Sequence, residues 1–121
     1  MQLITQHLCL EKDIGANGNL FGGFMMAWLD EAAAILAFQS TKSCRMVTLL
    51  TKEIKFIKAV KVGDIIQMKG EVGHMGRTSV TINVLVNSHH PESGEESIVC
   101  KTSFVFVKID EDGNKQSIEI E

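Results

Sequence analysis

Proline is almost absent, with one in 121 residues, and the ten glycines form no repeat, which excludes collagen-like and proline-rich low-complexity chains. Cysteine is sparse as well. Cys9, Cys44 and Cys100 are odd in number and widely spaced, so they offer neither a C-x-x-C pair nor a disulfide framework. A reducing, cytoplasmic setting is the simplest expectation. Basic residues are outnumbered, 12 Lys and Arg against 15 Asp and Glu, and a net charge of -3 excludes broad nucleic-acid binding, which needs a basic face. The opening residues MQLITQHLCLEKD lack a basic segment followed by an apolar stretch, so no secretory signal is expected. The longest apolar run, Leu20 to Phe38, is interrupted by Asp30 and Glu31. Two adjacent acids make membrane insertion costly, so that run is expected inside protein.

What the chain does have is a hydrophobic content of 45%, enough for one core and one domain over residues 1–121. Gln2 to Leu10 reads as a strand, and EKDIGANGN (Glu11 to Asn19) as a loop. Gly22 to Gln39 reads as the one long helix, with five Ala and no Pro, and so apolar all round that it needs cover on most sides. The remainder is β: Met46 to Ile57 with a bulge near Thr51–Glu53, Asp64 to Val72, Thr78 to Asn87, and Ser97 to Val107. Ile66, Met68 and Val72 share one face, as do Val80, Ile82, Val84 and Val86, and Phe104 with Phe106. Gly73 to Arg77 and Asp110 to Asn114 are turns, and His89 to Glu95 is a loop. The order β-α-β-β-β-β gives an α+β fold. A strongly curved sheet wrapped along the helix is the simplest way to cover it.

The stretch ANGNLFGGFMMAWLDEAAAILA carries the chemistry. Gly22-Gly23 opens the helix, where free N–H groups and the macrodipole favour an oxyanion and a ligand can approach the backbone. By itself the pair more commonly marks a tight entry turn. A carboxylate midway along an apolar helix is costly unless paired or functional, although Asp30 or Glu31 could also point to solvent or form a subunit salt bridge. Together an oxyanion-binding helix start and a buried acid are the two parts that acyl-transfer hydrolysis requires. Gly23 and Asp30 lie seven residues, about 10.5 Å, apart along the axis. One carbonyl cannot reach both, so the site is expected to be shared across a two-fold dimer, two sites per dimer.

With the segments RMVTLLTKEIKFIKAVKVGD and GHMGRTSVTINVLV added, the chain resembles the hotdog-fold acyl-CoA hydrolases, the YciA-like and brain-type group. The combination is FGG, an acid eight residues past the first Gly, F-x-K-x-V-x-V-G-D and G-R-T-S, spread over nearly the whole chain. The resemblance implies a sheet of five or six antiparallel strands around one central helix. It also implies homodimers paired sheet to sheet, often as trimers of dimers. By position, Asp30 matches the catalytic acid, as general base on water or alternatively as nucleophile, and Gly23 matches the glycine whose N–H polarises the thioester carbonyl. Burial should raise the Asp30 pKa toward working pH. Glu31, its neighbour, competes for the role. Arg77, Thr78 and Ser79 match the segment that holds the coenzyme A phosphates, with Lys58, Lys61 and Gly22 assisting.

Two departures stand out. The family's Asn three residues before the glycine that is Gly18 here is replaced by Gly15, which leaves Asn17 to help hold water or carbonyl. The family's Lys-Pro is Lys58-Ala59, so the charge stays and a rigid turn is lost. No cofactor or metal is implied, coenzyme A being part of substrate and product; His89-His90 has no second ligand cluster at metal spacing. Phe24, Met25, Met26 and Trp28 read as core or interface packing. The competing readings are a hotdog dehydratase, for which no His lies between His7 and His74, a non-catalytic acyl-CoA sensor, and a purely structural oligomer.

Overall fold

The computed structural model describes residues 1–119. Its elements are β1 (Gln2–Leu8), α1 (Gly22–Thr41), β2 (Met46–Thr51), β3 (Ile65–Met75), β4 (Ser79–His89) and β5 (Glu96–Lys108), with one 3-10 turn at Glu11–Asp13. The strands form one antiparallel sheet in the order β1-β3-β4-β5-β2, so β1 and β2 are its edges. The sheet wraps α1, the hotdog arrangement that the resemblance implies.

The helix packs through Met25, Leu29, Ala32, Ala33, Leu36 and Ala37, the i, i+3/i+4 stripe of a 3.6-residue period. Small residues let it sit close to the sheet. A Cβ at Gly70 of β3 would lie 3.2 Å from Leu36 Cδ2 and 2.6 Å from Ile4 Cδ1, so glycine there allows the approach. Val80, Ile82, Val84 and Val86 of β4 bury inward as alternation predicts, and Phe104 and Phe106 of β5 join them. Each such fully buried side chain contributes roughly 1.5–3 kcal/mol.

Several expectations are corrected. The helix is covered on one side only, since Phe24, Met26 and Ala27 are exposed, and it runs two residues beyond Gln39 to a left-handed Lys42 cap. β1 stops at Leu8 rather than Leu10. β2 ends at Thr51, and its bulge lies between Thr48 and Leu50 rather than near Thr51–Glu53. The chain from Lys52 keeps single contacts to β5, Lys52 N–H to Ser103 O and Ile57 N–H to Val99 O. The buried Thr102 hydroxyl donates to Lys52 O at 3.2 Å and Glu53 O at 3.4 Å, replacing ladder bonds where the strand departs.

β3 extends to Met75, so the turn is Gly76 to Thr78 and not Gly73 to Arg77. Val72 pairs opposite inward-facing Ile82 and so keeps the face of Ile66 and Met68, although it stays 39% exposed; a bulge follows it, between Val72 and His74. His89 closes β4, which also starts a residue later than predicted, and Glu96 opens β5, so the loop between them is shorter than His89 to Glu95. Among the described residues no helix is long and apolar enough to cross a membrane.

Candidate active site

The loop before α1 is built to hold the helix start in place. Asp13 is buried, with Oδ2 accepting the Leu10 N–H at 3.0 Å and Oδ1 accepting Lys12 Nζ at 3.1 Å. Its carbonyl takes the Phe21 N–H at 2.9 Å, and Val60 O takes the Leu20 N–H at 2.9 Å. Asp64 anchors the opposite side: Oδ2 accepts the Lys61 N–H at 3.0 Å, and Oδ1 lies 2.9 Å from His90 Nδ1. Asp13 was not singled out in the sequence and Asp64 only as the last residue of F-x-K-x-V-x-V-G-D, although each stands in a short loop where an Asp side chain can bond a nearby backbone N–H.

The Leu10 N–H, foremost, holds the Asp13 carboxyl below its ordinary pKa, opposed by burial and supported by Lys12. A depressed pKa contributes stability above the unfolded value, about 3.9, and that contribution is lost as pH falls through the lower folded value. Unfolding followed from pH 5 to pH 2 should show an acid-limb loss of stability that Asp13→Asn reduces. An unchanged acid limb in the variant is the result against this assignment.

The fixed loop presents the first turn of α1. Phe24 and Met25 N–H both reach Phe21 O, while Gly22 and Gly23 N–H have no acceptor among the described residues. A Cβ at Gly23 would lie 2.7 Å from the exposed Phe21 ring, which would have to turn aside, whereas Gly22 has open space. Seven residues on, Asp30 returns to within about 20° of Gly23 around the helix. Both lie on one flank, beside β2, where Thr48 Oγ1 donates to Asp30 Oδ1 at 2.8 Å. Sequence reasoning missed Thr48; a hydroxyl between the apolar residues Val47 and Leu49 was the available signal.

Asp30 and Glu31 are both exposed in the protomer, so the expected burial of the acid is not provided by this chain alone. Met26, one turn before Asp30 on α1, is 52% exposed, and Val47 at 41%, Leu49 at 53% and Leu50 at 47% are exposed on β2, an edge strand with one side of its backbone unpaired.

A cleft of about 280 Å³ under the helix start brings Asn17, Gly22 and Lys58 together. Lys58 Nζ is held at its lip by Glu95 Oε1 at 3.2 Å and Ser97 Oγ at 3.0 Å, and Lys61 Nζ by Asn19 Oδ1. Arg77, Thr78 and Ser79 stand elsewhere, in and after the β3–β4 turn. The register aligns Ser79 with Val107 and Met46 with Lys108, the end opposite His89 and Glu96. Eleven residues of β3, about 33 Å, separate the two ends, so one protomer does not unite Arg77 with Lys58.

Other nucleophiles and ligands are poorly poised. Burial pushes the Cys100 thiol up to about 11, and burial foremost also raises Cys9, so both stay protonated. Among the described residues no three metal-ligating side chains cluster. His7 does come to the helix, stacked on Trp28 with ring centroids 4.4 Å apart. Trp28 points about 160° around the axis from Asp30, so the pair a dehydratase needs does not form within the protomer.

The Thioesterase superfamily matches residues 17–94, more than half of the chain, including Gly23, Asp30, Thr48 and Lys58. This chain belongs to that superfamily. An uncharacterized acyl-CoA thioester hydrolase of Haemophilus influenzae is 34% identical over 96% of this chain and 77% of its own. The acyl-CoA thioester hydrolase YciA of Salmonella typhimurium is 29% identical over 99% and 92%. The hexameric thioesterase y2039 of Yersinia pestis superposes with a TM-score of 0.90 at 29% identity, covering 99% of this chain and 97% of that one.

Proposed function

We propose that the protein hydrolyses acyl-CoA thioesters to a free carboxylic acid and coenzyme A, at a site completed by a second copy of the chain. The observation that carries this reading is the pairing of unsatisfied Gly22 and Gly23 N–H groups with a Thr48-held Asp30 on one uncovered flank of α1. A two-fold axis beside β2 sets the Asp30 of one protomer opposite the Gly23 of the other and covers the apolar strip. The hexameric relative supports self-assembly, with a trimer of such dimers as the full form.

Asp30 takes a proton from water as its oxygen attacks the thioester carbonyl carbon. The facing Gly23 N–H holds the oxyanion, and Asn17 at the mouth of the cleft helps to hold the water. Collapse breaks the C–S bond, and the protonated Asp30 returns its proton to the leaving thiolate. Arg77, Thr78 and Ser79, with Lys58, grip the coenzyme A phosphates, and the spread of these groups over two ends of the sheet is bridged by the second protomer. Coenzyme A enters only as part of substrate and product.

The test is complementation. Asp30→Asn removes the base, and Gly23→Pro removes the N–H in the first helical turn, where proline is tolerated once the exposed Phe21 ring turns aside from the new Cβ. Each variant alone should be inactive toward acyl-CoA. Refolded together in equal amounts they should regain about a quarter of native activity, because half of the dimers then carry one intact site. No recovery from co-refolded, correctly assembled mixtures is the result that removes the shared site.

A further inference from the structure

At its C-terminal end β5 donates the Lys108 N–H to Thr78 O at 2.9 Å, while the Lys108 carbonyl accepts the Gln116 N–H at 2.9 Å. The chain has reversed between the two. Asp110 Oδ1 accepts the Asp112 and Asn114 N–H groups, both at 2.9 Å, and Gly113 takes a φ of 83°, which together close the turn. The returning segment then reaches the β3–β4 turn, where Ile118 N–H donates to Arg77 O at 2.8 Å. Ile118 is partly buried against the core, whereas Gln116, Ser117 and Glu119 around it are exposed. One apolar side chain among solvated ones sets where such a segment lies.

What the segment holds is the backbone that carries Arg77. Gly76 N–H closes that turn on Ser79 O at 2.8 Å, Thr78 O is tied to β5, and Arg77 O is tied to Ile118. The Arg77 side chain is exposed and has no carboxylate partner among the described residues, whereas Lys58 is paired with Glu95 and Arg45 with Glu111. An open cation on a fixed turn is pre-organised for an anion arriving from solvent.

We propose that Ile118 is a positioning residue for that anion: its side chain fixes the returning segment on the core, and its N–H fixes the backbone from which Arg77 reaches the coenzyme A phosphates. The inference rests on the hydrolase reading above and adds to it a residue that acts through Arg77. Loosening Ile118 frees the Arg77 turn, and ordering it again on binding costs affinity for the nucleotide half of the substrate. The chemistry at Asp30 and Gly23 is left alone.

The experiment compares acyl-CoA with the same acyl group on pantetheine, which keeps the thioester and lacks every phosphate. Turnover is read from thioester absorbance, because the exposed Cys44 would react with a thiol reagent. Ile118→Ser removes the apolar anchor, and Ile118→Val keeps it. In the assembled protein Ile118→Ser should raise KM for acyl-CoA about tenfold, with kcat within about two-fold of native and kcat/KM for acyl-pantetheine unchanged. Ile118→Val should restore the native KM. Adenosine 3′,5′-bisphosphate, the nucleotide end of coenzyme A, should bind Ile118→Ser about tenfold more weakly than native in calorimetry.

Equal losses on both substrates mean that Ile118 only holds the core, and an unchanged KM for acyl-CoA means that it does not set Arg77. Either result overturns the inference while leaving the hydrolase reading intact. A native chain that hydrolyses neither substrate overturns that reading. The bisphosphate measurement then decides the inference by itself, equal or absent binding being the result against it.

Discussion

Asp30→Asn should lower kcat on acyl-CoA by about 10²–10⁴-fold, the usual contribution of a positioned general base, with KM changed far less. The substitution preserves shape, and the amide Oδ1 still accepts the Thr48 hydroxyl, so helix and strand remain joined as they are in the native chain. Oligomer mass and melting temperature should therefore stay close to native. Glu31 is exposed one residue, about 100°, further around the helix. Glu31→Gln should retain activity within a few-fold. Native turnover by Asp30→Asn together with loss in Glu31→Gln would transfer the role to Glu31.

The second large effect concerns stability. Leu29 is 0% exposed at the centre of the helix–sheet contact, and Leu29→Ala should cost about 3–5 kcal/mol through lost transfer energy and the cavity left behind. For a chain of this size that corresponds to a fall of roughly 10–20 °C in Tm. The comparison requires equal protomer concentration, because assembly shifts Tm by mass action. A fall under about 3 °C would mean that α1 does not seat on the sheet through this face. Leu29 lies one residue from Asp30 but on the buried side, so the variant separates holding the helix from using it.

The helix, its glycine start and the four strands after it were legible because local pattern and tertiary environment agree there. β4 is the clearest case: a strict alternation from Val80 to Val86 lies in the middle of the sheet with both neighbours paired. Where they disagree the reading went astray. The apolar run past Thr51 looks like continued strand, yet Thr102, fifty residues away in sequence, takes over the carbonyls of Lys52 and Glu53. Val72 keeps the face read for it, and the extra residue between it and His74, which no composition signal marks, resets the period only beyond that point. Asp30 and Gly23 could be picked out by residue type and spacing, and their common flank follows from the helical repeat. The cover over Asp30 was not legible from one chain, since in the protomer the carboxylate meets solvent and a single hydroxyl.

The bare outer rim of β2 also bears on how output depends on quantity. If pairing along that rim completes each catalytic centre, dilute protomers are idle, and turnover per chain climbs with abundance until the dimer population saturates. Newly made chains also carry an adhesive border until they meet a mate, so crowding by unrelated unfolded strands competes directly with the birth of active molecules.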